Sequence, residues 1–284
     1  MKVTFLGTSA ATAMPLPFCN CNICKEAKRN KGKDIRKRAS IVINDDMLID
    51  LGPDSVNACY QYDINISNIK YVLQTHAHSD HFDAGHLITR HPEYAVKDIN
   101  PVTVVASAGT LQAMNNMLQD EDGEADIFSK EFQEKLRISL CITSYNETIT
   151  LGEYTITALN SLHDINQQSQ IFLISNNNKT VLYGTDLLSI DVANSEYLCK
   201  HNVFINMLIL DQTYGEGFNS GGHLDASQVI ETIRKLKKSK KLSDNTLIYA
   251  THISHEGNHT HKKMQSLAHI HGYDIAYDGL VIAF

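Results

Sequence analysis

The segment His76-Ala-His78-Ser-Asp80-His81 packs three imidazoles and a carboxylate into six positions, directly after the apolar run Tyr71 to Thr75. A strand ending in a tight turn can aim several side chains at one point, and mixed nitrogen and oxygen donors suit a borderline divalent cation. Such density is hard to reconcile with an ordinary histidine-rich polar loop. Four more donor-type residues have the same placement: Asp50 closes the run from Met47, His163 follows the run ending near Leu159, Asp186 closes the run from Thr180, and His252 closes the run from Thr246. Ends of strands are where a sheet presents its functional loops. Together these residues offer donors for two ions, more than a closed structural site uses.

Three thiols, Cys19, Cys21 and Cys24, form a second constellation, and His255 lies three residues after His252. Three sulfurs and one imidazole make a closed tetrahedral zinc site without an open coordination position, hence a structural one. The competing readings are a redox cysteine pair or free thiols. Cys59, Cys141 and Cys199 are scattered, and the opening apolar run is broken at Gly7. With no secretory signal in view, the pattern favours a metal site in a reducing cytoplasm over disulfides.

Positioning these residues calls for many short strands. Apolar, β-branched runs occur at 2–6, 40–43, 47–50, 71–75, 102–106, 154–159, 171–175, 180–184, 204–210, 246–251 and 281–284, and helical patterns at 108–118, 226–238 and 262–271, with Asp225 or Ser227 as N-cap of the second. Successive strands separated only by turns argue for a layered α/β sandwich and against a sheet that alternates strand and helix throughout. The polar stretch 119–133 reads as a surface excursion within a single domain spanning 1–284. Segment 25–38 carries eight Lys/Arg against Glu26 and Asp34. It reads first as a solvated loop, with a positive rim for an anionic substrate as the functional alternative. The lysine-rich stretch 234–241 reads as a solvated helix face.

Composition excludes other classes. The 284 residues carry a formal charge of -7, which opposes duplex nucleic-acid binding. No run approaches the roughly 18 apolar residues of a membrane span. Histidine is abundant at 14 copies, and His86, His91, His201, His259, His261, His269 and His271 are read as surface or core residues, with His259 and His261 in reserve as donors.

The HxHxDH turn, the LIDLG aspartate before it and the later His, Asp and His at strand ends resemble the metallo-β-lactamase superfamily, in its order and over nearly the whole chain, from FLGTS to YDGLVI. The resemblance implies an αββα four-layer sandwich. It assigns His76, His78 and His163 to one metal and Asp80, His81 and His252 to the other, with Asp186 bridging and Asp50 orienting a ligand histidine. The pairing of CxCxxC with THISH, and of both with GGHLDAS, is similar to the phosphonate-operon phosphodiesterase branch. That likeness makes His223 a candidate proton donor to the leaving oxygen. A quinone-cofactor biosynthesis branch shares the CNCxxC loop, but the intact HxHxDH set fits the hydrolytic branch better.

The expectation is therefore a dinuclear hydrolase with two manganese or zinc ions and one structural zinc, cleaving a small phosphodiester, cyclic ones included, with metal-activated water. Thioester hydrolysis on the same centre and a non-catalytic metal-binding protein are the alternatives. A homodimer is the default oligomer.

Overall fold

The computed structural model describes residues 1–94, 98–218 and 221–284. In chain order the strands are β1 (Lys2–Gly7), β2 (Ser40–Ile43), β3 (Met47–Ile49), β4 (Tyr71–Leu73), β5 (Val102–Ala106), β6 (Ile138–Ile142), β7 (Thr148–Leu151), β8 (Tyr154–Asn160), β9 (Gln170–Asn176), β10 (Lys179–Gly184), β11 (Met207–Asp211), β12 (Leu247–Thr251), β13 (Asp274–Ile275) and β14 (Val281–Ala283). The helices are α1 (Asn22–Asn30), α2 (Ser55–Gln61), α3 (Ala84–Ile88), α4 (Ala108–Glu121), α5 (Lys130–Leu136), α6 (Val192–Lys200), α7 (Ala226–Lys238) and α8 (His261–Ile270).

Two seven-stranded sheets form, ordered β14-β1-β2-β3-β4-β5-β6 and β13-β12-β11-β10-β9-β8-β7. Alternation along each strand supplies both faces. Val3, Phe5, Ile41, Ile43, Met47 and Ile49 of the first sheet meet Ile156, Phe172, Ile174, Val181, Tyr183 and Ile209 of the second in a core between the sheets. Residues of opposite parity, Val42, Leu48, Val72 and Val104, face Cys59, Leu87, Leu111 and Leu118 on the helices of the first sheet's outer side. Leu182, Leu208, Leu210 and Ile248 likewise face Ala27, Leu198, Val229, Ile233 and Met264 on the other side. The result is an αββα four-layer sandwich.

Each sheet is antiparallel in one part and parallel in the other, with β3 to β6 parallel in the first and β10 to β13 in the second. The carboxyl ends of β3 and β4, and of β8, β10, β11 and β12, are consequently brought to one edge, where open α/β sheets place their ligands.

Helix α7 forms over the predicted residues, and its cap is Asp225 in a reciprocal capping box with Gln228, not Ser227. Elsewhere the sequence reading needs correction. Segment 25–38 is not a loop: it starts as α1, which buries Cys24 and Ala27, and continues to Asp34 and Arg36, both buried. Stretch 119–133 is only partly a surface excursion, because α4 runs to Glu121 and Ala125, Ile127 and Phe132 join the core. The run from Phe204 becomes a strand only at Met207, leaving Phe204 exposed. Among the described residues no helix is long and apolar enough to cross a membrane.

Candidate metal centre

The first sheet supplies the HxHxDH turn after β4. Asp50, just past β3, lies beneath it: its Oδ1 accepts from Thr75 N at 2.9 Å and its Oδ2 from His81 Nδ1 at 2.8 Å. Gln74 Nε2 donates to the carbonyls of His76 (2.8 Å) and His81 (2.7 Å), closing the turn from inside. The second sheet supplies His163 after β8, Asp186 after β10 and His252 after β12. Asp50, Asp186 and His252 have φ of 65°, 50° and 60°. For a residue with a Cβ this left-handed conformation costs about 1 kcal/mol, so the surrounding fold imposes it.

The side chains converge in two groups. His76 Nε2 lies 2.9 Å from His78 Nδ1, which lies 3.3 Å from His163 Nε2. In the other group His81 Nε2 is 3.0 Å, and His252 Nε2 3.6 Å, from Asp80 Oδ2. The Asp186 carboxylate stands between them. Its Oδ1 is 3.4 Å from His163 Nε2 and 4.0 Å from His76 Nε2, while its Oδ2 is 2.8 Å from His81 Nε2 and 3.2 Å from His252 Nε2.

His81 Nε2, His252 Nε2 and Asp186 Oδ2 are buried and none has a hydrogen bond of acceptable geometry, despite their proximity. Buried polar atoms are normally satisfied. Donor atoms turned toward a common point and left without hydrogen-bond partners suit a cation, so the residues present fit two divalent ions.

Electrostatics agree. Burial alone would depress the pKa of His81, yet Asp186, Asp80 and Asp50 hold it well above the usual histidine value. For Asp186, burial is outweighed by His252, His81 and His76, which keep the carboxyl well below its usual range. The pocket thus concentrates carboxylate charge that calls for positive compensation.

Cys19, Cys21, Cys24 and His255 offer donor atoms all within 4.8 Å of one another. Cys21 Sγ lies 3.4 Å and Cys19 Sγ 3.8 Å from His255 Nδ1, close to the edge of a tetrahedron built on zinc–sulfur bonds of about 2.3 Å. Burial pushes the Cys24 thiol up to about 12. At Cys21 burial is overcome by hydrogen bonding to His255 and Cys24, and the pKa falls to about 6. No disulfide joins these cysteines, and the donor set fits a tetrahedral metal.

Residues 46–253 match the family model of the β-lactamase superfamily domain. The chain belongs to the metallo-β-lactamase superfamily. No protein of curated function matches it by sequence. Among solved structures, the full chain superposes on 97% of a diphosphatase from the PhnP family at 20% identity, with a TM-score of 0.70. Zinc-bound PqqB from Methylobacterium extorquens is covered completely at 17% identity and a TM-score of 0.71. The short form of human tRNase Z is covered over 99% of its length at 18% identity and a TM-score of 0.63. At these identities the likeness is one of fold.

The geometry of this superfamily member also contains residues that the sequence reading passed over. Asp211 ends β11 and accepts from His223 Nδ1 at 2.9 Å and from Thr213 Oγ1 at 2.8 Å. It carries the same signal as Asp186, an acidic residue closing an apolar strand. Asp164, directly after His163, accepts from His78 Nε2 at 3.1 Å. His259 and His261 stand apart from the centre; His261 Nδ1 instead receives Arg36 Nη2 at 3.0 Å.

Proposed function

We propose that the chain is a dinuclear metal-dependent phosphodiesterase acting on small phosphodiesters. The observation that carries this reading is the Asp186 carboxylate, each oxygen of which faces a different imidazole group. His76, His78 and His163 would hold one ion, Asp80, His81 and His252 the other, and Asp186 both. Two such ions supply an activated water and neutralise charge on the phosphoryl oxygens.

The chain's own groups supply the remainder. Asp50 orients His81 through Nδ1 and leaves Nε2 facing the centre. His223 stacks on His252 with ring centroids 5.2 Å apart and lies 4.6 Å from the His163 ring. Burial would lower its pKa, but the hydrogen bond and charge of Asp211 raise it to about 9. With Nδ1 engaged by Asp211, Nε2 can carry a proton into the cleft and deliver it to the departing alkoxide. Cys19, Cys21, Cys24 and His255 would bind a structural zinc, with no part in the bond cleavage.

Relatives of the fold support phosphoester chemistry: one neighbour is a diphosphatase and another a tRNase. The reading is tested by reconstituting metal-free protein with manganese or zinc and offering bis-p-nitrophenyl phosphate, p-nitrophenyl phosphate and a thioester, with metal counted in the same samples. Metal-dependent cleavage of the diester is expected. Turnover of the thioester alone would replace phosphodiester with acyl chemistry.

A further inference from the structure

The imidazoles of the centre are not equally enclosed. His76, His81 and His252 are 0 to 1% exposed and His163 11%, whereas the His78 side chain is 41% exposed. Each needs its outward nitrogen held, because an imidazole offers its inward nitrogen to a metal only when the proton sits on the other one. For the enclosed rings that partner lies in the protein interior or on a packed loop: Thr75 Oγ1 for His76 (3.1 Å), Asp50 for His81 (2.8 Å), Thr213 Oγ1 for His252 (2.8 Å) and Gly222 O for His163 (2.9 Å). His78 has Asp164.

Asp164 is itself fixed. Its Oδ1 accepts from the backbone N of Asn166 (2.9 Å) and Gln167 (3.1 Å), and its Oδ2 from Gln167 Nε2 (3.0 Å). Gln167 in turn accepts from Ala77 N through Oε1 (2.7 Å), and its carbonyl receives Ser107 Oγ (2.7 Å) and Thr110 Oγ1 (3.0 Å) at the start of α4. One turn therefore carries His163 and aligns His78, two of the three imidazoles on the open side.

We propose that Asp164 is a positioning residue that fixes the His78 tautomer and thereby sets the affinity of the open side of the centre for its ion. The inference rests on the dinuclear reading above. A carboxylate only accepts, so His78 carries its proton on Nε2 and presents a bare Nδ1 to His76 and His163.

Asp164→Asn and Asp164→Ala separate this role from simple packing. Asparagine can turn its amide toward Nε2 and donate, which moves the proton to Nδ1; alanine leaves Nε2 to water. Calorimetric zinc titration of metal-free protein should show one of the two ions at the His/Asp centre binding 10- to 100-fold more weakly in Asp164→Asn, with Asp164→Ala in between. The other ion and the zinc at the cysteine cluster should be unchanged, which also shows that the variants fold. Nitrogen NMR of the histidine rings should find the His78 proton on Nε2 in the wild type and on Nδ1 in Asp164→Asn. Undiminished affinity for both ions in Asp164→Asn, or an unaltered His78 tautomer, would overturn the inference and leave the dinuclear reading standing. A wild type that takes up no ion at the His/Asp centre would overturn both.

Discussion

Asp186 faces both imidazole groups from one backbone position that is itself held at φ 50°. Asp186→Ala should reduce turnover to background and lower the catalytic metal content from two ions per chain toward one or none; full activity with two ions retained would exclude a bridging role. His223 makes a subtler contribution, because proton donation matters in proportion to the basicity of the leaving oxygen. His223→Asn should cost a factor of 10² to 10⁴ in kcat with an alkoxide leaving group and far less with p-nitrophenolate. An equal loss on both substrates would assign His223 to binding instead. Asp211→Asn should reproduce the same leaving-group dependence, since it removes the carboxylate that accepts from His223 Nδ1 and turns Nε2 toward the centre.

At the scale of elements, the strap that follows β12 carries His252 to the metal centre and His255 to the cysteine cluster, and the cluster in turn begins α1, whose N-cap is Cys21. Cys21→Ser keeps an oxygen that can cap the helix by accepting from Cys24 N, and so isolates the metal's contribution. It should lower zinc content by one per chain and reduce thermal stability while the remaining folded protein keeps its kcat. On α1 and the residues after it, Lys25, Lys28 and Lys31 are exposed and none has an ion-pair partner among the described residues. Replacing the three by Glu should reduce kcat/KM for an anionic diester on the order of tenfold at low ionic strength, with kcat unaltered and the difference fading near 1 M salt. Salt-independent kinetics would leave those lysines a solubility role only.

The same elements show why some of the molecule was legible in its sequence and some was not. HxHxDH and the donors at strand ends are visible because apolar runs stop abruptly at a donor residue, and the αββα layering came with the superfamily resemblance those residues carry. Helix α1 was hidden because only Cys24 and Ala27 of its nine residues are buried, too few for an apolar period to emerge from the charge. Edge strand β7 alternates between exposed and half-buried residues, and α2 has only seven residues with polar Ser55, Asn57 and Gln61 among them, so neither announces itself. Nothing in the sequence pairs Asp164 with His78 or Gln167 with Ala77, since those contacts arise only when the turn after β8 lies against the HxHxDH turn and the start of α4.

On the scale of the whole molecule, Arg36 is buried between two stretches far apart in sequence, donating to Thr8 Oγ1 at 2.7 Å and to Ala276 O at 2.6 Å. Nearby Asp278 accepts from Thr8 Oγ1 and Lys37 N, yet burial pushes its carboxyl from 3.8 up to about 6. Because the folded state holds this proton more tightly than the unfolded one, its stabilising contribution is complete below pH 3.8 and is lost as pH rises through about 6. The gap between 3.8 and about 6 corresponds to about 3 kcal/mol. Asp278→Asn should remove this dependence, so that urea midpoints at pH 4.5 and 7 shift in the variant's favour at the higher pH; parallel pH profiles for the two proteins would refute the assignment.

The two sheets also impose an order in time. Strand β1 at residues 2–7 pairs with β14 at 281–283, and the donors on the first sheet, complete by His81, wait for Asp186 and His252 on the second. During synthesis the early half of the chain emerges with an open sheet edge and half a set of donors. Under the dinuclear reading each imidazole group is completed only by a residue of the second sheet, His163 in one and His252 in the other, so a pulse of labelled metal would time-stamp completed chains.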